Sequence, residues 1–108
     1  MIGEDYNEKV QRLKLKIDEF LKSEHKWIES RGKMIDSLLS SREDLDKDTR
    51  SELLNLKRDN EDSLAIISSL ENMLRNRLTA DSIRRISELI KGYSNYSDAI
   101  TEDLERLM

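Results

Sequence analysis

The chain has 108 residues, of which 39% are charged and 5% aromatic, and its formal net charge is −4. This length provides for one domain with one hydrophobic core. The absence of cysteine excludes disulfides, and no run approaches the roughly 20 apolar residues of a membrane span. We therefore predict a soluble, cytoplasmic protein that has no membrane partner.

The first predicted helix covers about residues 4–40. Apolar residues recur in steps of three and four, which places them on one helix face. Glu24 and Arg31 occupy positions where this stripe should be apolar, and Gly32 weakens a helix interior by about 1 kcal/mol relative to alanine. The apolar stripe consists of Tyr6, Val10, Leu13, Ile17, Phe20, Ile28, Ile35, Leu38 and Leu45.

The second predicted helix covers about residues 49–78. Thr49 and Glu52 have the spacing of a capping box, in which the threonine caps the helix and the glutamate reaches back. Asn60 replaces an apolar residue in the seam, and such a polar residue often fixes helix register at some cost in stability. The apolar positions are Leu53, Leu56, Leu64, Ile67, Leu70, Leu74 and Leu78.

The third predicted helix covers about residues 81–107, with Thr79 or Asp81 as its cap. Its heptad pattern is the most regular of the three and runs through Ser97. Gly92 lies midway, where it either forms a hinge that lets the segment after it detach or permits close packing of a continuous helix. Both alternatives stay open.

Three long helices joined by two short turns predict an all-α fold. We expect a single domain over residues 1–108, an up-down-up antiparallel three-helix bundle with long coiled-coil-like helices. At 1.5 Å per residue the helices would be roughly 55, 45 and 40 Å long, so the first should overhang the others.

Charge separates towards the two poles of this predicted bundle. An acidic pole can steer a basic partner towards it, and it collects Glu43, Asp44, Asp46, Asp48, Glu52, Asp98, Glu102, Asp103 and Glu105. The opposite pole has a basic cluster that acidic residues of the first helix can pair with. Because this cluster lacks interleaved aromatic residues, nucleic acid is only a distant alternative partner. The cluster is Arg75, Arg77, Arg84 and Arg85, opposite Glu4, Asp5 and Glu8.

The sequence offers no recognisable catalytic or ligand-binding motif. His25 is the one histidine, and Glu29 follows one helical turn later, so the two can form a surface pair. A helical di-metal site would need two Glu-x-x-His motifs, and isolated glycines cannot form a phosphate-binding loop. We therefore predict no catalytic residue, no metal, no cofactor and no enzymatic activity.

Several apolar residues lie off the main stripes. They either flank the core or line a groove for a partner, because small soluble proteins seldom expose large apolar patches without binding something. They are Leu15, Leu21, Leu39, Leu54 and Ile66, with whichever of Trp27 and Ile28 the core leaves out.

The sequence resembles the small helical export chaperones of the bacterial flagellum, of the filament-cap chaperone type. The similarity lies in the arginine-centred segment Trp27–Leu38, in the leucine-rich helix Glu52–Leu78 after a polar turn, and in the run Ile90–Tyr93. It implies a binding protein that keeps an export substrate soluble and whose last helix can cover the binding face.

We therefore predict a non-catalytic protein that binds a protein partner, as an export chaperone or adaptor. The alternative is a structural coiled-coil subunit of a larger assembly, and a homodimer stays open. The candidate partner-binding residues are Trp27, Ile28, Tyr93, Tyr96, Ile100, Leu104 and Leu107.

Overall fold

The computed structural model describes the backbone of residues 2–41, 43–76 and 78–108, and the side chains of these residues from Glu8 onwards. It contains three helices: α1 (Ile2–Ser41), α2 (Lys47–Arg75) and α3 (Ala80–Leu107). The described ranges contain no strand. The predicted all-α three-helix bundle is confirmed. None of these helices is long and apolar enough to cross a membrane.

The caps of α2 and α3 correct one sequence prediction and confirm another. Asp46, and not Thr49, is the N-cap of α2, because its carboxylate accepts a hydrogen bond of 2.6 Å from the Thr49 amide. Hydrogen bonding to Thr49, through its side chain and its backbone amide, lowers the pKa of Asp46. Thr79 caps α3 and accepts from the Ser82 amide over 3.1 Å. Because α2 ends at Arg75, Leu78 lies in the second turn.

The first helix extends beyond the other two, as predicted. It has 40 residues, compared with 29 in α2 and 28 in α3, and the molecule is 66 Å long. Among the side chains that the structure describes, Ile17 is the first buried one along α1, whereas Leu13, although on the predicted stripe, is 44% exposed. The apolar seam of α1 therefore continues past the end of the bundle.

The core consists of two apolar clusters, one near each end of the bundle. The cluster towards the second turn contains Ile17, Leu21, Ile28, Ile67, Leu70, Leu74, Ile86 and Tyr93. The cluster towards the first turn contains Ile35, Leu53, Leu56, Ile100 and Leu104. Leu21, predicted to lie off the stripe, is fully buried, and of the two neighbours Trp27 and Ile28 the core takes Ile28. The predicted stripe of α1 was therefore too narrow on this side.

Helix α3 is unbroken from Ala80 to Leu107, and Gly92 forms no hinge in it. Close packing does not explain this glycine either, because a Cβ atom placed on Gly92 would meet nothing within 4 Å. The close approach is at Gly32, where such an atom would lie 3.1 Å from the Nδ2 atom of Asn60. Gly32 thus lets α1 and α2 come together at the level of Asn60.

Candidate functional site

A buried polar layer separates the two apolar clusters. Arg31 is 0% exposed, and its Nε atom donates a hydrogen bond of 2.6 Å to the Oδ1 atom of Asn60. Its Nη1 atom donates to the carbonyl oxygen and the hydroxyl of Ser97, over 3.0 and 2.8 Å, and to the Thr101 hydroxyl over 3.1 Å. One arginine therefore joins all three helices.

This arginine is held by neutral groups. No carboxylate lies within ion-pair distance of it among the described side chains. Burial lowers the pKa of Arg31, and its buried Nη2 atom has no hydrogen-bond partner in the described part of the chain. A buried charge without a counter-ion costs stability, so an apolar core at this level would be more stable. In return, the polar layer fixes the three helices in one register.

The amide of Asn60 completes the polar layer. While its oxygen accepts from Arg31, its Nδ2 atom donates to the carbonyl oxygen of Ile28 over 3.0 Å. Both halves of the side chain are thus used, which is the condition for burying an amide at little cost. The space left by Gly32 makes this approach to the α1 backbone possible.

The second polar residue on the apolar stripe of α1, Glu24, also has a partner. The Tyr93 hydroxyl donates to its Oε1 atom over 2.8 Å, and Phe20 packs edge-on against the Tyr93 ring. Burial is the main reason why the pKa of Tyr93 rises to about 12, and the bond to Glu24 adds to it. Both polar interruptions of the α1 stripe therefore serve contacts between α1 and α3.

His25 forms the predicted surface pair with Glu29, at 3.3 Å from its Nε2 atom. Its Nδ1 atom lies 3.5 Å from Glu71 of α2. The two carboxylates thus approach opposite nitrogens of the ring and do not converge on a common ligand position. The part of the chain that the structure describes contains no cluster of three potential metal ligands.

A groove between α2 and α3 exposes apolar side chains. The Tyr96 hydroxyl donates to the carbonyl oxygen of Asp59 over 3.5 Å, which fixes the level of the two antiparallel helices. Seven residues return a helix to nearly the same face, so Ile66 and Leu89 lie one heptad further along this groove. They are 36% and 43% exposed. We call the surface around Asp59, Ile66, Leu89 and Tyr96 the α2–α3 groove.

The α3 side of this groove carries small residues. Gly92 lies three residues after Leu89 and four before Tyr96, and Ala99 follows three residues later. These spacings keep them on one helix face. The space above Gly92 is open and Ala99 is exposed, so the backbone of another helix can approach α3 closely there.

The end of the groove nearest the first turn is acidic. Burial raises the pKa of Tyr96, and the negative charges of Asp59 and Asp62 raise it further. Arg106 is the one cation among the described side chains that line this end, and the positive charge of Arg58 partly offsets the rise in the pKa of Tyr96. The acidic end therefore favours positively charged ligands. Its lining residues are Glu52, Asn55, Leu56, Asp59, Asp103, Arg106 and Leu107.

The structure distributes the predicted partner-binding residues over three environments. Tyr96 and Leu107 line the α2–α3 groove and are partly buried. Trp27 is 37% exposed on α1. The remaining four belong to the core and can meet a partner only if α3 leaves the bundle, which stays a prediction. These four are Ile28, Tyr93, Ile100 and Leu104.

The predicted basic cluster is only partly described. Arg75, Arg84 and Arg85 are exposed, whereas Arg77 and the side chains of Glu4 and Asp5 lie outside the described residues. Glu8, which was expected to pair with this cluster, instead lies 3.9 Å from Arg12 of its own helix. The basic cluster therefore offers no formed ion pair with Glu8.

No protein-family model, curated protein or solved structure matches the chain. The resemblance to flagellar export chaperones therefore stays a prediction. On the surface of the molecule, the α2–α3 groove combines apolar and acidic groups.

Proposed function

We propose that the protein is a non-catalytic binding protein whose α2–α3 groove holds a basic amphipathic helix of a protein partner. The observation that carries this proposal is the alignment of Ile66 and Leu89, both exposed, with the acidic end around Asp59. An amphipathic helix in a groove is a recurrent mode of recognition, in which apolar anchors one or two turns apart supply the contacts.

Apolar and charged groups have separate roles in this groove. Ile66 and Leu89 supply apolar contact area beside the gap over Gly92. The carboxylates of Glu52 and Asp59 attract lysine and arginine side chains, which raises the association rate and selects the partner by charge. Asp103 is already paired with Arg106 over 3.4 Å. Single exposed apolar residues are ordinary, whereas a facing pair beside small residues forms a docking surface.

An export chaperone or adaptor fits this surface, because such a protein shields an amphipathic segment of its partner from water. A structural subunit of a larger assembly is the second candidate, and the overhanging start of α1 favours it. The two differ in the occupant of the groove, a foreign helix in the first and a copy of the same chain in the second.

A labelled helical peptide made of leucine and lysine tests the proposal by fluorescence anisotropy. We expect it to bind the wild-type protein and to bind Leu89→Lys at least ~10-fold more weakly, a loss of about 1.4 kcal/mol. Binding should also weaken as salt is added.

Leu54→Lys is the matched control, because Leu54 is 52% exposed and lies about 120° around α2 from Ile66. This variant should bind the peptide like the wild type. Equal losses in both variants, or equal binding of a leucine–glutamate peptide, would contradict the proposal.

A further inference from the structure

We infer that the start of α1 from one copy of the chain occupies the α2–α3 groove of a second copy and joins the copies head to tail. The inference rests on the proposed function and names the helix that the groove holds. We call residues 8–16 the overhang; they precede Ile17, which is the first buried residue among the described side chains of α1.

The overhang has the apolar stripe that the groove requires. Val10 and Leu13 continue the seam of Ile17 beyond the end of the bundle, in steps of three and four. Leu13 is 44% exposed, so the bundle leaves this part of the stripe partly uncovered. A helix with an uncovered apolar stripe gains stability when a second surface covers it.

The charges of the overhang match those of the groove. Residues 8–16 contain four basic side chains and one acidic side chain. Lys9 and Lys16, two turns apart, flank one side of the apolar stripe, and Lys14 flanks the other. They would face the carboxylate of Asp59, which lies one heptad along α2 from Ile66.

The same charges disfavour a symmetric pairing of two overhangs. If the apolar stripes of two overhangs packed on each other, Lys9, Lys14 and Lys16 of both copies would crowd along one interface and repel. A contact between two different surfaces avoids this repulsion. Such a heterologous contact builds an open chain of copies unless its rotation closes a ring.

The overhang cannot reach the groove of its own chain. Helix α1 is continuous from Ile2 to Ser41, so the overhang runs along the bundle axis and cannot fold back into the groove between α2 and α3. A second copy is therefore required.

Two variants of the full chain test the head-to-tail contact by sedimentation velocity over a wide concentration range. Leu13→Lys removes the apolar anchor of the overhang, and Leu89→Lys disables the groove. The wild type should associate beyond a dimer as its concentration rises. Each variant alone should lose this association by at least a factor of ten, with an unchanged helical circular dichroism spectrum.

Mixing the two variants gives the decisive result. Leu13→Lys keeps an intact groove and Leu89→Lys keeps an intact overhang, so an equimolar mixture should form dimers and stop there. The control Leu15→Lys should associate like the wild type, since Leu15 is 62% exposed on another face of α1.

Association that persists in Leu89→Lys, or a mixture that stays monomeric, would overturn the inference. A wild-type protein that stays monomeric at every concentration would overturn it too. If that protein still binds the leucine–lysine peptide, the proposed function stands and only the identity of the occupant is wrong.

Discussion

The guanidinium of Arg31 on α1 and the amide of Asn60 on α2 form a buried hydrogen bond of 2.6 Å. Asn60 also donates to the α1 backbone, at the carbonyl oxygen of Ile28. The two residues therefore depend on each other, because losing the amide leaves the Nε atom of Arg31 without its acceptor and removes the hydrogen bond from α2 to the carbonyl oxygen of Ile28.

Replacing Asn60 alone should destabilise the protein strongly. In Asn60→Leu the Nε atom of Arg31 loses its acceptor, and an unsatisfied buried polar group costs roughly 1–3 kcal/mol, more when it is charged. We expect the free energy of unfolding, measured by urea denaturation with circular dichroism, to fall by about 2–4 kcal/mol.

Replacing the whole polar layer should leave the free energy of unfolding unchanged or raise it. Arg31→Met, Asn60→Leu and Ser97→Ala together remove the buried charge and its partners, and such replacements are neutral or stabilising by about 1–4 kcal/mol. A triple variant that is less stable than the wild type in urea denaturation would show that the polar layer itself stabilises the fold.

The two glycines inside helices should respond differently to alanine. A Cβ atom at Gly92 meets open space, so Gly92→Ala should raise the free energy of unfolding by about 0.5–1 kcal/mol through helix propensity. The same change at Gly32 pushes a Cβ atom to 3.1 Å from Asn60, which offsets that gain. Urea denaturation of both variants measures the difference, and an equal response would contradict the close approach at Gly32.

Alkaline pH should weaken the fold through Tyr93. Its pKa is about 12 in the folded protein and 10.0 ordinarily, so the unfolded chain releases this proton first. The stabilisation by the protonated phenol is complete below pH 10 and is lost as the pH rises through 12. Urea denaturation at several pH values in this window measures the slope, which should be shallower in Tyr93→Phe. An unchanged slope in that variant would assign the effect to other groups.

Removal of residues 98–108 should abolish cooperative unfolding. The deletion takes away Ile100 and Leu104, which are 3% and 2% exposed, and uncovers Ile35 and Leu53. Each buried apolar side chain contributes about 1.5–3 kcal/mol, whereas a small domain has a net stability of about 5–15 kcal/mol. A truncated chain that still unfolds cooperatively and binds a partner more tightly would support the predicted detachable cover instead.

The residues of the polar layer could be identified from the sequence, but their contacts with one another could not. Arg31, Asn60 and Ser97 each interrupt or occupy an apolar stripe of a different helix, so the sequence marks all three. Their meeting depends on the relative heights of the helices, and those heights depend on where each turn begins. Asp46 and Thr49 both had the chemistry of a cap, and the choice of Asp46 moves the start of α2 by two residues.

The groove was less accessible to sequence analysis. Ile66 was recognised as surplus apolar surface, but Leu89 was not, because its exposure depends on which side of α3 faces α2. The sequence feature that could have identified Leu89 was its spacing of seven residues from Tyr96, with Gly92 between them. The width of the buried face of α1 could not be predicted either. Leu21 is buried by contacts with the other helices, which the apolar pattern of α1 alone does not show.

The central position of α2 has a consequence for how the chain folds. Both α1 and α3 pack mainly against α2, and the contact between α1 and α3 is small. Each large interface thus joins helices that follow one another directly, across the short segments 42–46 and 76–79. Closing such short loops costs little chain entropy, and helical proteins with local contacts fold in about microseconds to milliseconds. Nascent chains that end after α2 already contain the partners of the larger interface, so the bundle can assemble in the order in which its helices are synthesised.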